Sequence, residues 1–234
     1  MEKTVVLYEG KAKKAYGTSN PRVIWMEFKD TATAFDGVKK GSIQDKGRIN
    51  AALSAHLFGV LERAGIPTHF IERADERSLL VRNLKMFPVE VVVRNAAAGS
   101  IEKRYGLEHG TRFRKPLLEY FLKNDSLHDP MLNRQHVVVL GYMPERKLAR
   151  AEELALKVNT VLSRYMKRRG FFLVDFKLEF GEQSGRVYLG DEISPDTCRI
   201  WDAGTGEIMD KDRFRLDLGA VEEHYEEVLR RLTA

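Results

Sequence analysis

The stretch from residue 173 to residue 196, LVDFKLEFGEQSGRVYLGDEISPD, most constrains what this chain can fold into. In its first half, apolar and charged residues alternate strictly, and in a strand such alternation places the two kinds on opposite faces. Four apolar residues would therefore face a core, while an acid, a lysine and an acid share the other face. The turn-rich residues 181–185 and the extended residues 187–189 complete a predicted β-hairpin.

The charged face of this hairpin is a candidate site for metal and phosphate. Asp175, Lys177 and Glu179 lie on its first strand, and Asp191 and Glu192 follow its second strand. Carboxylates around one lysine on a rigid hairpin suit Mg²⁺ and phosphate, although a solvated strand face with cross-strand ion pairs would contain the same residues. The strand register decides whether Asp191 or Glu192 shares the face of Glu179, and the sequence leaves that register open.

Charge and composition narrow the class of partner. The 234 residues carry a formal charge of +5, and the sequence pI is about 9.2, which favours either nucleic acid or small, highly anionic substrates. We find no RNP-like motif, no zinc finger and no interleaving of aromatic and basic residues, so nucleic acid is not the expected partner. The chain has one cysteine, Cys198, no apolar signal-like segment and no run as long as a membrane span, so we expect a cytoplasmic protein that does not bind membranes.

Two other segments are typical of phosphate binding. In residues 9–17, EGKAKKAYG, three lysines lie between two glycines, which favours a hairpin. A hairpin with these lysines could lie over a triphosphate, even though no Walker A pattern is present. Residues 88–100, PVEVVVRNAAAGS, predict a strand, a turn of small residues and a helix that begins at Ser100, where a phosphate could bind. Solvated lysines and an ordinary N-capped helix remain the structural alternatives.

The order of predicted elements indicates the fold class. Strands predominate before residue 83, and strands and helices are interleaved after it, which predicts an α+β chain in two lobes. Helical spacing of apolar residues predicts helices over residues 46–64, 144–169 and 219–232. Residues 83–87 are predicted to be a connector, and the polar, glycine-punctuated residues 30–41 a functional loop.

Several separated segments together resemble the phosphoribosylaminoimidazole-succinocarboxamide synthase family, also called the SAICAR synthetases. The matching segments are YEGKAK at 8–13, AFDG at 34–37, FPVEVVVRNAAAGS at 87–100, LKND at 122–125, LVDFKLEFG at 173–181 and GDEISPD at 190–196. The resemblance runs from about residue 7 to the C-terminal helix. The length and specificity of the two longest segments make agreement by chance improbable.

The resemblance implies both a fold and a reaction. It implies a kinase-like, antiparallel β-rich N-terminal lobe over residues 1–84 and an ATP-grasp-like α+β C-terminal lobe over residues 85–234, with the active site in the cleft. With Mg²⁺, the substrates ATP, carboxyaminoimidazole ribotide (CAIR) and L-aspartate would give SAICAR, ADP and phosphate through an acyl phosphate. All three substrates are anionic, which suits a basic chain. The resemblance further implies a homo-oligomer, with a dimer favoured.

The resemblance also implies a role for each matching residue. The ATP-binding residues would be Gly10, Lys11, Ala12, Lys13, Lys85, Met86 and Lys123. The ribotide-binding residues would be Glu90, Arg94, Ser100, Asp175, Lys177 and Arg199. Glu179 and Asp191 would coordinate Mg²⁺. The catalytic residues would be Lys177, Asp175 and Asp36, with the loop of Asp36 helping to seat the amine substrate.

One alternative of the same architecture remains at this point. An ATP-dependent ligase or kinase that acts on another small phosphorylated acid would have the same fold, because similarity of fold does not determine the substrate. The predicted phosphate seat formed by Arg94, Ser100 and Arg199 is the feature that favours the ribotide.

Overall fold

Antiparallel sheets dominate the computed structural model, which describes residues 1–34 and 37–234. The N-terminal strands are β1 (Lys3–Glu9), β2 (Lys13–Thr18), β3 (Val23–Phe28), β4 (Thr31–Ala34), β5 (Lys39–Ser42), β6 (Phe70–Arg73) and β7 (Ser78–Arg82). Within the described residues, five of these strands form one sheet in the order β1-β2-β3-β7-β6, and β4 pairs with β5 in a separate hairpin.

A second sheet follows in the C-terminal part of the chain. Its strands are β8 (Lys85–Ala96), β9 (Arg112–Leu122), β10 (Met131–Leu132), β11 (Phe171–Gln183), β12 (Arg186–Leu189) and β13 (Cys198–Asp202). Strand β11 is central, because it pairs with β8 along one edge and with β12 and β13 along the other. The predicted α+β class with a strand-rich N-terminal lobe is therefore confirmed.

Six α-helices accompany these sheets in residues 1–34 and 37–234. They are α1 (Lys46–Arg63), α2 (Ser100–Tyr105), α3 (Arg134–Val139), α4 (Glu145–Lys167), α5 (Asp212–Arg215) and α6 (Val221–Thr233). The three long helices, α1, α4 and α6, lie where the spacing of apolar residues predicted them. None of the described helices has both the length and the apolar character needed to cross a membrane.

The predicted hairpin is formed by β11 and β12. Phe180 lies opposite Leu189, and Ser184 and Gly185 form the turn with positive φ angles. The charged face of β11 is not a solvated surface, because Asp175 and Glu179 are only 4% and 3% exposed. Phe176, Leu178 and Phe180 of the same strand lie in the main core, as their alternation predicted, whereas Val174 belongs to a separate small cluster with Ala96 and Ala98.

The predicted connector at residues 83–87 was wrong. Strand β8 already begins at Lys85, which pairs with Glu182, while Met86 pairs with Gly181. An irregularity in the pairing between Glu179 and Gly181 shifts the register at this end of β8. The sequence conceals this extension because Pro88 has no N–H to donate, and a proline in a sheet is typical of the first residue of a strand.

The described part of the predicted loop at residues 30–41 is largely a hairpin. Thr31 pairs with Ser42, and Ala34 pairs with Lys39. Strand β4 alternates threonine with alanine and has no large apolar side chain, while β5 contains no β-branched or aromatic residue, so the sequence pattern alone did not predict this pair. Asp36, the predicted catalytic residue of this segment, lies outside the described residues.

Helix α1 packs into the core beneath the second sheet. Its residues Ile49, Leu53 and Leu57 belong to the same buried cluster as residues of β8, β11, α4 and α6. A smaller cluster joins α1 to the N-terminal sheet through Ala51, Met26 and two residues of β7. One helix therefore packs against both sheets, and the predicted division of the chain at residue 84 stays a prediction.

Candidate active site

A cavity of about 360 Å³ opens over the charged faces of β8 and β11. Its walls contain all six residues predicted to bind the ribotide, namely Glu90, Arg94, Ser100, Asp175, Lys177 and Arg199. The antiparallel register brings these residues together, because Asp175 lies opposite Arg94 and Glu179 lies opposite Glu90. Side chains directly opposite each other on one face of such a pair are within contact distance.

Two arginines converge on one buried aspartate. Arg94 Nη1 donates to Asp175 Oδ2 at 2.6 Å, and Arg199 Nη1 donates to the same oxygen at 2.9 Å. Arg199 Nε also donates to Asp212 Oδ2 at 2.7 Å. Burial opposes the charge of Arg199, but Asp175 and Asp212 outweigh it and raise the pKa of the guanidinium. Such buried ions are tolerated only when they are paired, so these groups form one interdependent cluster.

Ser100 lies where Arg94 and Arg199 approach each other. The backbone bends at Gly99, whose φ of +68° and lack of a side chain are both required: a Cβ there would lie 2.5 Å from Arg199 Nη2. The Ser100 hydroxyl accepts a hydrogen bond of 2.7 Å from Arg104 Nη1 and a longer one of 3.4 Å from Arg94 Nη2. Arginine side chains beside a hydroxyl are suited to binding an oxyanion such as phosphate.

Lys177 lies between two carboxylates. Its Nζ is 2.7 Å from Glu90 Oε1 and 3.1 Å from Glu179 Oε1. Glu90 and Glu179 face each other across the strands and would repel each other, so the ammonium between them stabilises the pair. Burial opposes the charge of Lys177, but the neighbouring carboxylates raise its pKa well above the ordinary value. Burial also raises the pKa of Glu90.

Asp191 lies beside Glu179 at the end of the hairpin. The N–H of Gly190 donates to the Glu179 carbonyl at 2.8 Å, and Lys123 Nζ is 2.5 Å from Glu179 Oε2. Burial opposes the charge of Asp191, but Lys13, Lys177 and Lys123 lower its pKa.

Glu192 has a different environment from that of Asp191. The side chain of Glu192 is buried, and its Oε2 accepts a hydrogen bond of 2.6 Å from the Ser194 hydroxyl. Its other oxygen pairs with Lys13 at 2.7 Å. Asp191 thus lies among lysines, while Glu192 is bound into the loop that follows β12.

Lys13 links the two lobes. The turn before β2 is closed by the Gly10 N–H, which donates to the Lys13 carbonyl at 2.9 Å. The Lys13 side chain then reaches across to Asp191 and Glu192, and these carboxylates raise the pKa of its ammonium although burial opposes them. Lys11 in the same turn forms an ion pair of 2.8 Å with Asp125. The turn at residues 10–13 therefore lies against the second sheet.

The remaining residues predicted to bind ATP lie around this point. Lys85 and Met86 begin β8, and the side chain of Met86 is partly exposed. A Cβ at Gly190 would lie 3.0 Å from Met86 Cε, so the strand passes close to the loop that contains Asp191. Lys123 meets Glu179 from the end of β9. Met86, Lys123 and Lys13 thus border the same carboxylates.

The carboxylates of Glu179 and Asp191 have the chemistry that Mg²⁺ requires. Mg²⁺ prefers oxygen ligands and is usually held by one or two carboxylates together with substrate phosphates and water. Within residues 1–34 and 37–234, no group of three or more His, Cys, Asp or Glu side chains is arranged to hold a metal. Two carboxylates bordered by lysines fit a metal that arrives with a nucleotide better than a metal held by protein ligands alone.

Sequence reasoning missed several residues of the cavity wall. They are charged side chains from one loop, from helix α5 and from the residue before that helix, namely Asp196, Lys211 and Arg215. The side chain of Asp196 is buried and accepts a hydrogen bond from Lys46 Nζ at 2.9 Å. Burial alone would raise the pKa of Asp196, but the charges of Lys211 and Lys46 outweigh burial and lower it. The charged run DKDRFR at 210–215 was the available signal, but charged runs are common on surfaces. Only the fold brings them to the cleft.

The single cysteine forms part of the cavity wall. Cys198 is the first residue of β13 and is buried. Burial raises the pKa of its thiol to about 12, so the thiolate that would be needed for nucleophilic attack is scarce at neutral pH. The structure thus agrees with a packing role for Cys198.

Comparison with known proteins identifies relatives over nearly the whole chain. The family model described as SAICAR synthetase matches residues 6–232. The phosphoribosylaminoimidazole-succinocarboxamide synthase of Desulfitobacterium hafniense (strain Y51) is 56% identical over 232 residues, which are 99% of this chain and 98% of that protein.

Solved structures give the same result. The crystal structure of the synthase from Ehrlichia chaffeensis superposes with a TM-score of 0.96 at 43% identity, covering 98% of this chain and 99% of the other. A SAICAR synthetase (Type-2) in complex with ADP superposes with a TM-score of 0.93 at 51% identity, covering 97% of each chain.

The fold, the cleft with its charged walls and these relatives define an ATP-dependent ligase of purine biosynthesis. More particularly, the chain belongs to the SAICAR synthetase family. The family, the α+β fold and the ligase activity expected from the sequence are thus confirmed, with ATP as co-substrate. A ligase or kinase for a different acid is not favoured.

Proposed function

We propose that this cleft joins L-aspartate to the carboxylate of CAIR and gives SAICAR, ADP and phosphate. One observation carries the assignment of the site: the six residues expected to hold the ribotide come from β8, α2, β11 and β13, yet all line one cavity. That cavity contains five cationic side chains, which suits a substrate with a phosphate and a carboxylate.

In this proposal the ribotide phosphate is held by Arg94, Ser100 and Arg199. The two arginines are fixed by Asp175, so their remaining N–H groups are available in a defined geometry. Glu90 and Asp175 face the imidazole ring and its amino group. The raised pKa of Glu90 supports a role as a hydrogen-bonding partner for that ring.

The nucleotide would lie between the lobes, under the turn at residues 10–13. Lys11 and Lys13 would hold its phosphates, the backbone at Lys85 and Met86 would meet adenine, and Lys123 would neutralise phosphate charge. Glu179 and Asp191 would hold Mg²⁺, which would supply charge neutralisation at the phosphates. The ion pairs between Lys13 and Asp191, and between Lys123 and Glu179, support this grouping.

The chemistry needs no protein nucleophile. The CAIR carboxylate attacks the γ-phosphorus of ATP, ADP leaves, and an acyl phosphate forms. The aspartate amine then attacks the acyl carbon, the C–O bond to phosphate breaks, and the amide and inorganic phosphate result. Lys177 would stabilise negative charge on the transferred phosphoryl group, so catalysis would consist mainly of positioning and charge stabilisation.

L-aspartate would bind at the side of the cavity formed by α5. Lys211 and Arg215 line this wall and provide cations for its two carboxylates. The side chain of Lys211 is only 12% exposed, and this burial lowers its pKa. The predicted catalytic residue Asp36 would help to seat the amine from its own loop.

The decisive measurement is ADP release from ATP and Mg²⁺ with single substrates omitted. We expect ADP to appear only when CAIR is present, and SAICAR to form only when aspartate is added as well. Release of ADP with aspartate but without CAIR would mean that the assignment of the ribotide site is wrong.

The metal assignment can be tested with Glu179→Gln. Losing one carboxylate ligand should raise the Mg²⁺ concentration for half-maximal turnover roughly 10-fold and lower the maximal rate by ~10²–10³. Calorimetric titration of ADP with and without Mg²⁺ gives a readout that is independent of turnover. The control is Glu182→Gln on the same strand, because Glu182 pairs with Lys147 outside the cavity. Unchanged Mg²⁺ dependence in Glu179→Gln would refute the assignment.

We further propose that the protein works as a homodimer in the cytoplasm, where ATP and the intermediates of purine biosynthesis are available. Strand β1 supports the dimer, because it lies at the edge of its sheet and exposes the apolar side chains of Val5, Leu7 and Tyr8. Unpaired edge strands with apolar side chains tend to associate. Sedimentation velocity of the intact protein is the direct test.

A further inference from the structure

We propose that Glu119 is a positioning residue for the phosphate seat, acting through Arg94 and Arg104 to aim the Ser100 hydroxyl at the phosphate of the substrate. None of the sequence motifs pointed to Glu119 or Arg104. The inference rests on the proposed seat formed by Arg94, Ser100 and Arg199, and it names the group that organises that seat.

Glu119 is a buried carboxylate shared by two arginines. It lies on β9 opposite Val92 of β8 and is only 2% exposed. Its Oε2 accepts from Arg94 Nε at 2.6 Å, and its Oε1 accepts from Arg104. A buried carboxylate is tolerated only when cations compensate it, and here each of its oxygens holds one guanidinium.

This contact fixes the orientation of Arg94. A guanidinium is a rigid planar fork, so binding two of its edges determines the direction of the third. Glu119 holds the Nε edge of Arg94, and Asp175 holds Nη1 at 2.6 Å. The Nη2 group is left to face Ser100, whose Oγ lies 3.4 Å away. Without Glu119 the fork would be held on one side only.

Glu119 also fixes Arg104, which belongs to helix α2. The guanidinium of Arg104 lies over the ring of Phe121 at 5.5 Å from its centroid, and Phe121 lines the cavity. From there Arg104 Nη1 donates to Ser100 Oγ at 2.7 Å. Arg94 and Arg104 carry like charges and approach the same hydroxyl, so the carboxylate between them is what allows both to remain there.

The consequence concerns the proton of Ser100. A serine hydroxyl has two acceptor lone pairs and one hydrogen to donate. Because both arginines donate to Ser100 Oγ, its lone pairs are used and its hydrogen is left for an acceptor in the cavity. A phosphate monoester presents such acceptors. The hydroxyl is thus oriented as a donor before the substrate arrives, which is the arrangement that makes polar contacts most effective.

Glu119→Gln tests the proposal, because glutamine keeps the shape but can no longer accept from both arginines. We expect the KM for CAIR to rise about 10-fold, since one charge-assisted contact is weakened, while kcat at saturating CAIR and the KM values for ATP and aspartate stay within about twofold. With the dephosphorylated riboside of CAIR as substrate, kcat/KM should be the same in wild type and variant. A structural defect would lower activity on both substrates alike.

Two further variants complete the design. Glu152→Gln is the matched control, because Glu152 accepts from Tyr120 Oη and Arg134 Nε away from the cavity. We expect its KM for CAIR to equal that of wild type. Arg104→Gln removes the second arginine that contacts Ser100. Because Arg104 is partly exposed, this variant should fold, and it therefore tests the proposal even if Glu119→Gln does not fold. Ribose 5-phosphate should raise the melting temperature of wild type more than that of Arg104→Gln.

Ser100→Ala separates failure of this inference from failure of the proposed seat. If Ser100→Ala loses its preference for the phosphorylated substrate while Glu119→Gln and Arg104→Gln keep theirs, the role of Glu119 is overturned. If Ser100→Ala also keeps that preference, the seat itself is misassigned and the inference fails with it.

Discussion

Asp210 shows how one buried side chain can hold part of the active site in position. It is fully buried, and its Oδ2 accepts from the Ile200 N–H at 2.7 Å while its Oδ1 accepts from the Asp212 N–H at 2.8 Å. These bonds join β13, next to Arg199, to the start of α5. Burial and the charge of Asp212 raise the pKa of Asp210 to about 7, although the two N–H bonds oppose the shift.

This raised pKa predicts a pH-dependent stability. Because the ordinary value is 3.8, the native state binds a proton at Asp210 between about pH 4 and pH 7 that the unfolded chain releases. The stabilisation is complete below pH 3.8 and is lost as the pH rises through about 7. As the pH rises from about 4 to 7, the free energy of unfolding of wild type should therefore fall relative to that of Asp210→Asn, by up to about 1.4 kcal/mol per pH unit. Urea unfolding of both proteins from pH 5 to 7.5 measures this difference. If the free energies of unfolding of the two proteins changed with pH in parallel, the prediction would be contradicted.

At this scale the sequence predicted residues on strands better than residues on loops. Arg94, Asp175 and Lys177 could be placed because strict alternation identifies the face of a strand. Glu119 could not, because Arg114, Lys115 and Pro116 hide the strand pattern of β9. Lys211 and Arg215 could not either, because α5 is a single turn whose position depends on distant contacts such as those of Asp210.

The N-terminus of helix α1 shows how an element depends on its neighbours. Its first turn has no side-chain cap from Asp45; instead Asp30, which lies between β3 and β4, accepts from the Gly47 N–H at 2.8 Å. Gly47 also packs closely against strand β3, since a Cβ there would lie 2.6 Å from the Phe28 carbonyl oxygen. Glycine at this position is therefore required by the approach of a strand.

Two glycine-to-alanine changes in this one helix should have opposite effects on stability. Gly47→Ala forces helix and strand apart and should lower the free energy of unfolding by about 1–3 kcal/mol. At Gly59 a Cβ would meet only the end of the Arg63 side chain at 3.4 Å, so Gly59→Ala should raise it by about 0.5–1 kcal/mol through helix propensity. Chemical denaturation compares them, and equal signs would refute the explanation.

Elements with strong periodicity were predicted, and those defined by pairing were not. Helix α4 and the hairpin of β11 and β12 carry their own pattern in the sequence. The start of β8 at Lys85 and the hairpin of β4 and β5 depend on strands that lie elsewhere in the chain. Local sequence contains little information about such partners, so it cannot predict these boundaries.

At the scale of the whole molecule, helix α1 couples the two sheets. Its apolar residues belong both to the main core under the second sheet and to the small cluster under the first. Lys13 adds a polar connection, because it extends from the N-terminal sheet to Asp191 and Glu192. The two sheets are therefore connected by hydrophobic contacts as well as by ion pairs.

This coupling predicts that the two lobes unfold together. Leu53 of α1 is completely buried in the shared core, and Leu53→Ala should lower the free energy of unfolding by about 3 kcal/mol. Calorimetry should show one transition, shifted as a whole to lower temperature. The control is Leu156→Ala on the partly exposed side of α4, which should cost much less. Two transitions, only one of them shifted, would contradict a shared core.

The lone thiol in the cavity wall provides a means to observe the cleft. Cys198 is buried and its pKa is raised, so a thiol-specific reagent should label the chain only when β13 separates from its neighbours. No other cysteine competes for the reagent. The rate of labelling of the unmodified enzyme therefore reports local opening of this wall, and ligands that hold the wall closed should slow it. Cys198 is therefore a natural reporter of the opening of the active site.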